Sequence, residues 1–120
     1  MTCPKYHVRP EGTYRVNEFI TPYDPVIVSK ANELKKEAEM RKIEPLVVIF
    51  NFVSVKIKYI KDKRFHGYEE YWTFPRETLR YGRGDCEDTS FLLTSLLIAS
   101  GIDKRYVRVV LGSYKGYGHA

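Results

Sequence analysis

Apolar residues change their spacing from one segment of this chain to the next. Between Ser29 and Ile43 they are sparse. Ala31, Leu34, Ala38 and Ile43 form a narrow stripe at helical spacing in an otherwise charged run, which predicts a surface helix capped by Ser29. Glu37 and Arg41 are placed for an i,i+4 ion pair on it. From Leu46 to Tyr59 the chain is rich in Val, Ile and Phe, which by propensity favours a strand. Its polar positions Asn51, Ser54 and Lys58, however, recur at spacings of three and four, and Pro45 stands just before it, so a buried helix is expected. From Cys86 to Ser100 the chain is apolar nearly all round, through Phe91, Leu92, Leu93, Leu96, Leu97, Ile98 and Ala99, which predicts a central helix. Asp85 reads as its N-cap, Asp88 as the far half of an acidic capping box, and Gly101-Ile102 as a Schellman stop. Arg105 to Leu111 alternates like a strand; Gly112 to Gly118 reads as a loop, with His119 opening a return strand.

The remaining segments carry turn chemistry. Residues 1–28 are punctuated by Pro4, Pro10, Pro22 and Pro25 and read as an extended arm and loop, with at most a helical turn near Val16–Ile20. Lys61 to Glu70 is a charged connector in which His66 is expected to be exposed. Tyr71 to Pro75 is an aromatic loop, Pro75 to Leu79 one helical turn, and Tyr81 to Gly84 a flexible loop. The expected fold is α+β: N-terminal helices and a central helix bearing Cys86, packed on a small antiparallel sheet. One domain spans 1–120, with 1–28 as its arm and 29–120 as its core.

Composition narrows the class. Apolar residues make up 43% and charged residues 29%, an ordinary globular balance. Two cysteines are too few for a disulfide framework, and no apolar run approaches a membrane span, so a cytoplasmic protein with no membrane partner is expected. The net charge of +5 comes from scattered Lys and Arg, and no nucleic-acid motif accompanies the ten tyrosines, so a solvated basic surface is expected rather than a nucleic-acid partner. Glutamine is absent and Lys, Glu, Ile, Val and Tyr are abundant, in the direction of thermophile proteins.

The sharpest chemical signal is Gly84-Asp85-Cys86-Glu87-Asp88, with Gly118-His119 thirty-three positions on (119 − 86 = 33). A thiol at the first turn of a helix meets unpaired N–H groups and the positive end of the dipole, which favour the thiolate and offer an oxyanion hole. An imidazole beside it makes a thiolate–imidazolium pair, and His119 is the candidate. Asp85, Glu87 and Asp88 oppose this by like-charge repulsion unless they are committed to capping or to Arg76, Arg80 and Arg83. The alternative is a buried cysteine acting as a small hydrophobe and a solvated histidine. Cys3-x₃-His7 has a metal-ligand spacing, but one short pair does not make a zinc site, and neither metal nor cofactor is expected.

The run YWTFPRETLRYGRGDCEDTSFLLTSLLIASGI, followed by RYVRVVLGSYKGYGHA, resembles the core of the transglutaminase-like cysteine peptidase superfamily, related in architecture to papain-like enzymes. The detailed match covers about residues 71–120, and a weaker one reaches back over 45–60, where Ile57-Lys58-Tyr59 follows a helix in the family pattern. The resemblance implies a Cys86 nucleophile, a His119 general base, and a peptide or protein amide substrate. Water as acceptor gives hydrolysis and an amine gives crosslinking; hydrolysis is expected because a chain this small has little room for a tunnel that excludes water. It sets Trp72 at an aromatic position before the nucleophile, as part of the cleft or as a hydrophobic anchor. It also implies an Asp that orients the imidazole, beyond His119 and on further strands. Three readings stay open: a fragment of a longer protein, a minimal enzyme recruiting another carboxylate such as Asp88 or that of Ala120, or a non-catalytic module that keeps the fold. The substrate and the oligomeric state are left open.

Overall fold

The computed structural model describes residues 5–60, 71–114 and 117–120, and the backbone alone at 5, 112–114 and 117–119. The connector with His66, and Cys3, lie outside the described residues. The fold is α+β, with the helices in the middle and short two-stranded ladders around them. The chain opens with an antiparallel hairpin, β1 (Lys5–Arg9) and β2 (Gly12–Arg15), turned at Pro10-Glu11. A 3-10 turn, Val16–Phe19, follows it. The expected extended segment thus contains a hairpin, and the helical turn falls where Val16–Ile20 placed it.

Helix α1 runs Pro25–Arg41, one turn earlier than a Ser29 cap predicts. Asp24 is the cap, its carboxylate accepting Val26 N–H at 2.9 Å, and Pro25 takes the first position, where a missing N–H costs nothing. The earlier start extends the buried stripe to Ile27, Ala31, Leu34 and Ala38. The Glu37–Arg41 pair forms at 3.1 Å.

Helix α2, Pro45–Lys56, confirms helix over strand for the Val/Ile run. Only one side of it is buried, through Val48, Ile49 and Val53, while Leu46, Val47, Phe50 and Val55 face outward. The chain leaves α2 through β3 (Lys58–Tyr59). β3 pairs in parallel with β4 (Arg83–Gly84), the segment that reads as flexible loop; Ile60 N–H donates to Gly84 C=O at 2.9 Å. Between them α3 spans Pro75–Tyr81, two turns rather than one, closed by Gly82 at φ 68°.

Helix α4, Cys86–Ala99, is the centre of the molecule. One core joins its Leu92, Leu96 and Leu97 to α1 and α2. A second joins its Phe91 to Val8, Phe19 and Trp72. The predicted Schellman stop is present: Ile102 N–H donates to Leu97 C=O, Gly101 N–H donates to Ile98 C=O, and Gly101 sits at φ 113°.

Residues 105–111 depart from expectation. Lys104–Tyr106 forms a 3-10 turn, and 107–111 is extended without a ladder partner among the described residues. The alternation is nonetheless real, with Val107, Val109 and Leu111 turned inward and Arg108 and Val110 outward. The ladder begins later, in the antiparallel hairpin β5 (Gly112–Tyr114) and β6 (Tyr117–His119), which pairs Gly112 with His119. His119 therefore ends a strand rather than opening one.

Candidate active site at the start of helix α4

The first turn of α4 is fixed by reciprocal capping. Asp85 Oδ1 accepts the Asp88 N–H at 3.3 Å, and Asp88 Oδ2 accepts the Asp85 N–H at 3.1 Å. A third bond is not visible in the sequence: Asp88 Oδ1 accepts the Thr73 N–H at 2.9 Å, tying the aromatic loop to the helix start. The Thr73 and Thr78 hydroxyls share a hydrogen bond of 2.7 Å, which carries the tie on into α3. Asp88 is 1% exposed. Burial lifts its carboxyl to about 6, against the opposing pull of the hydrogen bonds from Thr73 and Asp85.

Gly84 is a packing requirement of this clamp. A Cβ on it would stand 2.6 Å from the Asp88 Cβ and 2.9 Å from its Oδ2. The glycine before Asp85 lets the β4 backbone pass over the capping carboxylate.

Cys86 follows the cap as a free, half-buried thiol. Burial is the main force on it and pushes its pKa up to about 11, with the Glu87 carboxylate adding to the rise. Backbone hydrogen bonding from Ala120 and Glu87 works the other way. The contact with Ala120 is the significant one, because it brings the end of the β5–β6 hairpin to the sulfur. His119 is the residue before it, on β6; its side chain lies outside the described set.

The structure thus gathers Asp85, Cys86, Glu87, Asp88 and the backbone of Ala120 in one place, with Thr73 as a member that sequence spacing does not single out. Glu87 is 6% exposed, and its carboxylate raises the thiol pKa as the like-charge argument expects. Thr73 carries no sequence signal, since its partner lies fifteen positions away. Trp72 is buried, with its ring 5.2 Å from Phe91, 5.5 Å from Phe19 and 5.3 Å from Tyr6, the geometry of a hydrophobic anchor. Of the three arginines expected to offset the acidic cluster, Arg76 instead pairs with Asp24 at 2.7 Å, where it steadies the start of α1. His7 is exposed on β1. Among the described residues no group of three or more His, Cys, Asp or Glu is placed to hold a metal, and no helix is long and apolar enough to cross a membrane.

A thiol on the first turn of a buried central helix, approached by a β-hairpin that carries a histidine, belongs with the transglutaminase-like cysteine peptidases. A family model described as bacterial transglutaminase-like cysteine proteinase, BTLCP, matches residues 16–120, and the chain belongs to that family. Comparison with curated proteins and with solved structures gave no match.

Proposed function

We propose that the chain is a cysteine hydrolase acting on a peptide or protein amide, with Cys86 as nucleophile and His119 as its proton acceptor and donor. The observation that carries this reading is the approach of the Ala120 backbone to the Cys86 sulfur. The residue before Ala120 on β6 is His119. Cys86 Sγ adds to the amide carbonyl while His119 takes the thiol proton, then returns it to the leaving amine; water releases the acyl group from the thioester. The Cys86 N–H, at the first position of α4, is the natural donor to the oxyanion. Asp85 and Asp88 hold that turn in place, and Trp72 anchors the loop behind it.

The thiol of itself is a poor nucleophile, since burial holds it protonated at neutral pH. An imidazolium at His119 is what lowers it in this mechanism. The test is the rate of iodoacetamide alkylation of Cys86 against pH. The expected midpoint lies below that of a free thiol, near 8.5, and climbs well above it in His119→Ala. A midpoint untouched by that substitution overturns the pair.

The raised thiol also favours a second reading, a non-catalytic binding or scaffold module retaining the fold. Stoichiometric labelling by an activity-based thiol probe, lost in Cys86→Ser, rules against it.

A further inference from the structure

The peptide group between Trp72 and Thr73 is held at both ends by charged side chains. Its C=O accepts a hydrogen bond from Arg9 Nη1 at 3.1 Å, and its N–H donates to Asp88 Oδ1 at 2.9 Å. Arg9 is on β1 and Asp88 on α4, so one peptide unit joins the N-terminal hairpin to the helix turn that presents Cys86. Hydrogen bonds to ionised groups are roughly twice as strong as neutral ones. A cation at the carbonyl oxygen also polarises the peptide and makes its N–H a better donor to the carboxylate. The two bonds therefore reinforce each other.

The aim of Arg9 at that carbonyl is fixed from its other side. Its guanidinium forks onto Glu77, at 2.7 and 3.3 Å, and its Nε donates to Glu11 at 2.6 Å. Its side chain is only 11% exposed, so water competes little for these bonds. Glu77 Oε1 also accepts the Phe74 N–H at 2.8 Å, at the start of α3. β1 holds Trp72 a second time, since Val8 C=O accepts the Trp72 N–H at 3.0 Å. On the far side of the peptide, the second Asp88 oxygen accepts the Asp85 N–H, next to Cys86. The residues matched by the family model begin at 16, so Arg9 lies outside them.

We infer that Arg9 is a positioning residue of the Cys86 site, acting through the Trp72–Thr73 peptide on Asp88, which in turn holds the helix turn carrying the thiol. What the thiol is positioned for rests on the peptidase reading above; the coupling from Arg9 to Asp88 does not. Glu11 and Glu77 set the direction of the guanidinium, the peptide transmits it, and Asp88 passes it to the Asp85 N–H beside the nucleophile.

The test is NMR of the Thr73 and Asp85 amide protons, both of which bond to Asp88. From pH 4 to 8 the two are expected to shift together as the Asp88 carboxyl titrates, with a midpoint of about 6. Asp88→Asn removes that step and so separates it from the titration of Asp85 and Glu87. In Arg9→Met the shared midpoint is expected to rise by about half a pH unit or more, because the carboxylate loses part of its stabilisation. Exchange of both amides with solvent is expected to quicken at least about tenfold. Arg9→Gln, which can still donate to the Trp72 C=O but brings no charge, is expected to raise the midpoint by less, and carries the test where Arg9→Met does not fold. Val8→Ala loosens the packing of the same hairpin without touching the peptide, and is expected to leave the midpoint at wild type. An unmoved midpoint in the Arg9 variants overturns the inference. An equal rise in Val8→Ala overturns it too, since Arg9 is then only a brace for the hairpin. The alkylation midpoint of Cys86 is expected to climb in Arg9→Met and to stay at wild type in Val8→Ala; no change in Arg9→Met overturns the link to the thiol. An alkylation midpoint untouched by His119→Ala overturns the peptidase reading and leaves the amide result standing, so the two fail separately.

Discussion

Asp88 Oδ1 accepts the main-chain N–H of Thr73 at 2.9 Å, while its other oxygen accepts that of Asp85 at 3.1 Å. One buried carboxylate therefore joins the aromatic loop, the end of β4 and the helix that presents Cys86. Replacement by Ala leaves two buried donors without acceptors, at about 1–3 kcal/mol each, partly offset by removing a buried charge. A net loss of about 2 kcal/mol or more is expected for Asp88→Ala in urea denaturation.

The same carboxyl makes stability depend on pH. Its pKa in the folded protein, about 6, lies above the ordinary 3.8, so the folded state keeps a proton that the unfolded chain releases. The contribution of this group is full below about pH 4 and is lost as the pH rises through about 6. Asp88→Asn cannot titrate. Urea midpoints measured from pH 4 to 7 are expected to show wild type losing stability relative to that variant as pH rises.

Gly84→Ala tests the close approach over the cap. The added methyl meets the Asp88 Cβ at 2.6 Å and its Oδ2 at 2.9 Å, so the β4 backbone or the capping side chain must shift. A loss of about 1–3 kcal/mol is expected, with slower Cys86 alkylation or a shifted midpoint as the helix start moves. Gly12→Ala is the matched control, because nothing stands within 4 Å of its added Cβ. Its melting temperature is expected to stay close to that of wild type.

Trp72 separates anchoring from chemistry. Its ring packs in a cluster with Phe19 and Phe91, both 0% exposed. Trp72→Ala is expected to cost about 3–5 kcal/mol, and Trp72→Phe considerably less. An anchor predicts that Trp72→Phe keeps the wild-type alkylation profile; a slower reaction with unchanged stability assigns the ring to the cleft.

Arg9 binds the hairpin to the site scaffold. Its guanidinium donates to both Glu77 oxygens, at 2.7 and 3.3 Å, and to Trp72 C=O at 3.1 Å, with Phe74 beneath it at 5.0 Å. Lysine keeps the charge but loses the fork and the stacking. A loss of about 1–2 kcal/mol is expected for Arg9→Lys, with coupling to Glu77→Gln in a double-mutant cycle.

The sequence by itself determined the helices and their ends wherever the signal is local. The α4 cap, the Gly101 stop, the α1 stripe and the helical reading of 45–56 all follow from side chains within a few positions of one another, where propensity, capping and periodicity act. It also determined the family, through the residues around Cys86 and His119. Only the tertiary structure decided what depends on distant pairs. β4 reads as loop because its partner β3 lies twenty-five positions earlier (83 − 58 = 25) and supplies the hydrogen bonds that make it a strand. The strand pattern of 105–111 signals burial, which alternation encodes, but not pairing, which needs a neighbour. Arg76 reads as a counter-ion to the Cys86 motif, yet folding brings Asp24 to it from fifty-two positions away. The environment of the thiol was decided in the same way, since burial and the backbone of Ala120 act on Cys86 only once the hairpin has closed against the helix.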